Sequence, residues 1–150
     1  MIELIEVNKD NWQACIALPT SDAHRFVASN LYSIGEAQFY PKAHAYGVYA
    51  DGQLVGFTMY GLGEDDETML WIDRLMIAEP FLRQGYGLDV LEKIIEEART
   101  LGVSRIGLST EPENHAAKRA FEKAGFEAAG LKDGDEDIYH FTLRGVADAH

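Results

Sequence analysis

The stretch from Met69 to Ser109 constrains this chain more tightly than any other part of it. An apolar run, Met69 to Ile77, reads as a strand, and a connector containing Pro80 leads from it to Arg83-Gln84-Gly85-Tyr86-Gly87. Leu88, Leu91, Ile95 and Ala98 then recur at helical spacing, which predicts an amphipathic helix from Gly85 to Leu101 with Gly102 as its stop. A second apolar run, Val103 to Ser109, follows at once. Two strands joined through a helix form a crossover, so the spacing predicts that they run parallel.

The flanking segments favour antiparallel neighbours. Ile2 to Val7 alternates apolar and acidic residues and reads as the first strand. Asn11 is placed to cap a short helix carrying Trp12, Cys15, Ile16 and Leu18. Pro19-Thr20-Ser21-Asp22 interrupts it, and His24 to Phe39 reads as a second helix with Phe26, Val27, Leu31, Ile34 and Ala37 inward. Ala45 to Tyr49 and Leu54 to Tyr60 read as a hairpin closed by Asp51-Gly52. Glu64 to Glu67 reads as a solvated acidic loop. Past the central unit, Asn114 opens a helix with Ala117, Ala120, Phe121 and Ala124 inward and Gly125 at its end. Phe126 to Gly130 and Asp137 to Leu143 read as closing strands joined across Lys132 to Asp135. No repeat, linker or composition shift divides residues 1–150, so one domain is expected.

Charge narrows the partners. With 13 Lys+Arg against 25 Asp+Glu, the formal net charge is −12. That balance argues against a nucleic-acid partner, which requires clustered bases, and favours small cationic ligands. No apolar run approaches the roughly 20 residues of a membrane span, so no membrane partner is expected. The single cysteine, Cys15, leaves no internal disulfide and suits a reducing cytoplasm. His24, His44, His115, His140 and His150 show no metal-ligand spacing, so no metal is expected. Trp12 and Trp71 read as core residues.

Glycines between a strand end and a helix start let backbone approach a ligand while the helix's first amides point outward. With the helix dipole, this makes an anion site suited to a pyrophosphate. Alone, the loop is equally a tight turn. A dinucleotide fingerprint would need glycine where Val90 stands, and a P-loop would need a Gly-Lys-Ser/Thr that is absent.

The ordered set is more specific. Leu75-Met76-Ile77, Gln84-Gly85-Tyr86-Gly87, Asn114-His115-Ala116-Ala117 and Phe121 to Phe126 occur in a fixed order across the chain. In this the chain resembles the GNAT family of acetyl-CoA-dependent N-acetyltransferases. Phe26 to Asn30 with Ser33, Glu36 and Ala37, Leu54 to Tyr60, and Trp71 to Ile77 bring it closest to the bacterial diamine and polyamine members. The resemblance implies an α/β (α+β) fold. Its mixed, mostly antiparallel sheet of about seven strands is flanked by helices and splays between the parallel fourth and fifth strands.

The resemblance also implies acetyl-CoA as cosubstrate and a small cationic amine, such as spermidine or spermine, as acceptor. Alternatives are a protein N-terminus, an amino acid or an aminoglycoside, and a non-catalytic acyl-CoA-binding module. Related enzymes are often homodimers. By similarity, Leu75, Met76 and Ile77 hold the pantetheine arm, the amides from Arg83 through Gln84, Gly85, Tyr86 and Gly87 to Leu88 hold the pyrophosphate, and Asn114, Ala117 and Phe121 line the far side. A backbone N–H of Met76 or Ile77 is the implied oxyanion donor.

A primary amine has a pKa of about 10 and arrives protonated. Asp73, interrupting an apolar strand, is the candidate to hold the ammonium and accept its proton, directly or through water. Strand alternation disfavours a direct Asp73–Arg74 pair. Asn30, Glu36, Glu111 and Tyr139 are further acceptor-side candidates. Cys15 has no histidine at an activating spacing, which favours direct transfer over an acyl-enzyme. Two positions depart from the family pattern. Leu82 stands where Gln or Arg is usual, and Phe121 where a thiolate-protonating tyrosine is common. Tyr86 or Ser109 could supply a hydroxyl instead.

Overall fold

A computed structural model describes residues 1–20 and 29–143. In chain order the elements are β1 (Ile2–Glu6), α1 (Trp12–Ile16), α2 (Asn30–Ala37), β2 (Ala43–Ala50), β3 (Gln53–Leu62) and β4 (Met69–Ile77). A 3-10 turn at Glu79–Phe81 leads to α3 (Tyr86–Leu101), β5 (Arg105–Thr110), α4 (His115–Ala124), β6 (Glu127–Asp133) and β7 (Glu136–Thr142). The strands form one sheet in the order β1-β2-β3-β4-β5-β7-β6. Among the described residues only β4 and β5 pair in parallel.

Turn and cap chemistry fixes the joints. Asp51 and Gly52 both adopt positive φ, 50° and 85°, as a two-residue hairpin turn demands. Ser29 caps α2 by accepting from the Tyr32 amide at 3.1 Å, and Asn114 caps α4 by accepting from Ala117 at 3.3 Å. Gly102 (φ 75°) and Gly125 (φ 106°) end α3 and α4 in the left-handed conformation.

Each face of the sheet has its own core. On one, Val90, Leu91, Ile94 and Ala98 of α3 meet Leu70, Ile72 and Ile106. On the other, Cys15, Phe57, Met59 and Met76 form a smaller cluster under α1 and α2.

Some expectations are corrected. Leu31 is 59% exposed and Trp12 39% exposed, so neither is core. The inward side of α2 carries Asn30 and Ser33, both buried, with half-buried Ile34 and Ala37 packed on the second cluster. The sixth strand runs longer than read, to Asp133, with Phe126 buried just ahead of it, and the seventh is shifted one residue toward the N-terminus. The proposed start of the second helix, with Ser21, Asp22, His24, Phe26 and Val27, lies outside the described residues.

Two irregularities of β4 shape the site. Its parallel pairing with β5 covers only Met69–Ile72 against Arg105–Leu108, so beyond Ile72 the two strands part. At that same point Ile72 pairs with Tyr60 and Arg74 with Met59, consecutive residues of β3. Asp73 is the extra residue of a β-bulge, a device that re-aims side chains.

Candidate active site

The parting of β4 and β5 opens a first cavity of roughly 380 Å³, walled by Asp73 to Ile77 on one side and Leu108 to Thr110 on the other. Leu82 and Gly87 close one end, and Asn114, Ala117 and Phe121 of α4 close the far side. Strand alternation decides which amides face it. Ala78 N donates to Val55 O on β3 at 2.8 Å. The Met76 amide, two residues back, therefore faces β3 as well, while those of Leu75 and Ile77 face the open splay. Of the two amides expected to face a bound thioester, that of Ile77 faces the splay and that of Met76 faces β3.

Beside this cavity, Arg83 (φ 64°) and Gly85 (φ 86°) turn the chain into α3. Asp89 N donates to Gly85 O at 3.1 Å, whereas among the described residues the amides from Arg83 to Leu88 have no acceptor. This is a row of free donors at the positive end of a helix dipole. A Cβ built on Gly87 would meet nothing within 4 Å, so the space before the helix is open. Donor row and cavity together fit a phosphorylated ligand with a long arm. The side chains of Arg83, Gln84, Tyr86 and Leu88 do not line the cavity.

A second cavity of roughly 390 Å³ lies between α2, β4 and the β3–β4 loop. Met59, Leu62 and Trp71 give it an apolar floor, and Glu64, Asp65 and Asp66 an acidic rim. Trp71 is thus half-buried cavity lining, packed against Gly107, where any Cβ would overlap its ring. The acidic loop is exposed as expected, yet it also walls this cavity.

Asp73 and Arg74 border both cavities. The bulge overturns the expectation that alternation would send them to opposite faces. Even so, the two side chains do not pair. Arg74 Nη2 donates to Glu36 Oε1 at 3.1 Å, Nε to Ser33 Oγ at 3.1 Å and Nη1 to the Asp73 carbonyl at 2.7 Å. Burial pushes the Asp73 carboxyl up to about 6; Arg74 opposes that shift, and Glu36 and Glu64 add to it. A carboxylate so tuned can take a proton near neutral pH.

Of the other expected residues, Glu36 joins Asp73 on the second cavity. Asn30 does not: it is buried and donates to Cys15 O at 2.8 Å, tying α1 to α2. Tyr139 is core, its ring edge-on to Phe121 at 5.6 Å, and it lines neither cavity. Glu111, half-buried after β5, also lines neither. Ser109 does line the first cavity, where its hydroxyl donates to Glu136 at 2.7 Å; Tyr86 does not. Cys15 is fully buried, and burial pushes its thiol up to about 11, far from a nucleophilic thiolate. Arg74 and Glu136 were not anticipated, because their places depend on a bulge and on a distant strand pairing.

A splayed parallel pair, free amides at the helix start, and a carboxyl bordering two cavities suit a group-transfer enzyme with a phosphorylated donor. Residues 5–126 match the acetyltransferase (GNAT) family, and the chain belongs to it as an acetyl-CoA-dependent N-acetyltransferase. It is 32% identical over 142 residues to a spermine/spermidine N(1)-acetyltransferase of Bacillus subtilis, covering 88% of this chain and 91% of that protein. In fold it matches the PaiA N-acetyltransferase of Thermoplasma acidophilum solved with coenzyme A (TM-score 0.72, 16% identity, 95% and 99% of the two chains). An aminoglycoside acetyltransferase solved with coenzyme A superposes at TM-score 0.80 with 17% identity over 99% of each chain.

Proposed function

We propose that this enzyme acetylates a primary amine of a diamine or polyamine, such as spermidine or spermine, by direct attack on the acetyl-CoA thioester. The observation that carries this reading is the meeting of the two cavities at Asp73, one suited to the donor and the other acidic with an apolar floor. A polyamine is complementary to the second cavity, with methylenes for Trp71 and Met59 and ammonium groups for the acidic rim. The named activity of the Bacillus subtilis relative agrees with this.

In this reading the amides from Arg83 to Leu88 cradle the pyrophosphate, and the strand edge at Leu75 and Ile77 pairs with the pantetheine arm. Asn114, Ala117 and Phe121 border it. Acetyl-CoA supplies an activated acyl carbon. Asp73 holds the incoming ammonium and accepts its proton, freeing the nitrogen lone pair. The nitrogen adds to the thioester carbon, the Ile77 amide stabilises the oxyanion so formed, and the C–S bond breaks as that intermediate collapses and the nitrogen sheds its second proton. A thiol of pKa about 8.5 departs acceptably as thiolate, and the second proton shed by the nitrogen balances it; the Ser109 hydroxyl, which donates to Glu136, is placed to hydrogen-bond in that cavity.

Thiol release from acetyl-CoA across an acceptor panel tests the assignment. Spermidine, spermine and putrescine should exceed amino acids, peptides and aminoglycosides in kcat/KM. A preference for peptides would reject the polyamine reading.

A further inference from the structure

In a site read as taking cations, Arg74 is out of place. Among the described residues lining the two cavities it is the one basic side chain, and it sits where they join. It is not a loose surface charge. Its side chain is 22% exposed, and Ser33, Glu36 and the Asp73 carbonyl hold its guanidinium from three directions.

We infer that Arg74 is a specificity-determining residue that makes the enzyme discriminate among acceptors by the spacing of their charges; the inference rests on the diamine reading above. Asp73 and its neighbour Arg74 both line the second cavity, so an acceptor whose reacting nitrogen sits at Asp73 and whose carbon chain lies in that cavity runs beside Arg74. A second ammonium close to the first lies against a fixed guanidinium. A second ammonium farther along lies beyond it, over Trp71 and among Glu64, Asp65 and Asp66. Coulomb repulsion falls with separation, so short diamines are penalised and long ones are not. Glu36, the counter-ion that fixes Arg74, keeps the guanidinium from swinging aside.

Arg74 also acts on Asp73 itself. The charged groups acting on that carboxyl are Arg74 on β4, Glu36 from α2 and Glu64 from the β3–β4 loop, while Glu136 lines the first cavity with it. Arg74 is the group among them that favours the carboxylate. Its removal moves the acid limb of activity to higher pH.

The test is acetylation kinetics with diaminopropane, putrescine, cadaverine and spermidine for wild type, Arg74→Gln and Arg74→Lys. In wild type, kcat/KM should climb about tenfold or more from the shortest to the longest acceptor, as expected for relief of a like-charge contact. Arg74→Gln should flatten the series by raising its short members and should move the acid limb upward, while Arg74→Lys keeps the slope. Equal loss on every acceptor in both variants would mean that Arg74 only holds α2 in place. An unchanged slope in Arg74→Gln would overturn the inference while sparing the diamine reading. Wild-type turnover of no diamine would overturn both.

Discussion

Asp73 and Arg74 are consecutive on one strand, yet both border the same two cavities. The cause is local: Ile72 and Arg74 pair with adjacent residues of β3, and Asp73 is the residue left over. Its neighbour's guanidinium is engaged by Glu36, so the Asp73 carboxyl carries the cost of partial burial without a direct ion pair.

Activity should therefore follow the Asp73 proton. With its carboxyl pushed up to about 6, kcat/KM for spermidine should fall as pH drops through that value. Asp73→Asn should lower kcat/KM by roughly a hundred- to ten-thousandfold, the usual range for a lost general base. An Asn variant retaining wild-type rates and the same acid limb would remove Asp73 from the chemistry.

The same residue should cost stability. A carboxyl whose pKa is raised on folding binds protons more tightly in the native state, so stability falls as pH rises from the unfolded value of about 3.9 through the folded one. Asp73→Asn should unfold at higher temperature than wild type at pH 8, by up to about 1–3 kcal/mol in equivalent free energy. The difference should vanish below pH about 3.9, where both forms are neutral. Calorimetric melts at the two pH values check the sign.

Gly85 stands at φ 86° in front of a row of free amides. Gly85→Glu should weaken coenzyme A binding by about a hundredfold or more, because a carboxylate would face phosphate at close range. Isothermal titration of the folded variant reads this directly. Unchanged affinity would dissociate the loop from the donor.

Phe121 lines the first cavity and packs edge-on against Tyr139. Phe121→Tyr should preserve or raise kcat by adding a hydroxyl where the thiolate leaves. A large loss with an unchanged melting temperature would mean that the site is built around the apolar ring.

Cys15→Ala should leave kcat unchanged and lower stability by about 1 kcal/mol, as expected for a buried small side chain. A burst of acyl-enzyme abolished by this substitution would contradict direct transfer.

Much of the fold was legible because it rests on local signals. The period switch from Ile77 through α3 to β5 gave the crossover, and Asp51-Gly52, Gly102 and Gly125 marked turns and stops where positive φ is required. The turn from Arg83 to Gly87 into α3 was legible for the same reason. The second cavity was not, because its geometry comes from contacts distant in sequence. A bulge built from Asp73 and Arg74 carries no glycine to announce it. The acidic loop walls a cavity because β4 returns beside it and Trp71 packs against Gly107. Asn30 and Tyr139 look polar in sequence but spend their polarity or bulk inside the fold.

The most direct test is a crystal structure with coenzyme A and spermidine bound together. One terminal nitrogen should lie at about 2.7–3.2 Å from the Asp73 carboxylate, with the carbon chain over Trp71 and the distal ammonium at Glu64 to Asp66. A polyamine bound elsewhere, with Asp73 left facing solvent, would contradict this arrangement.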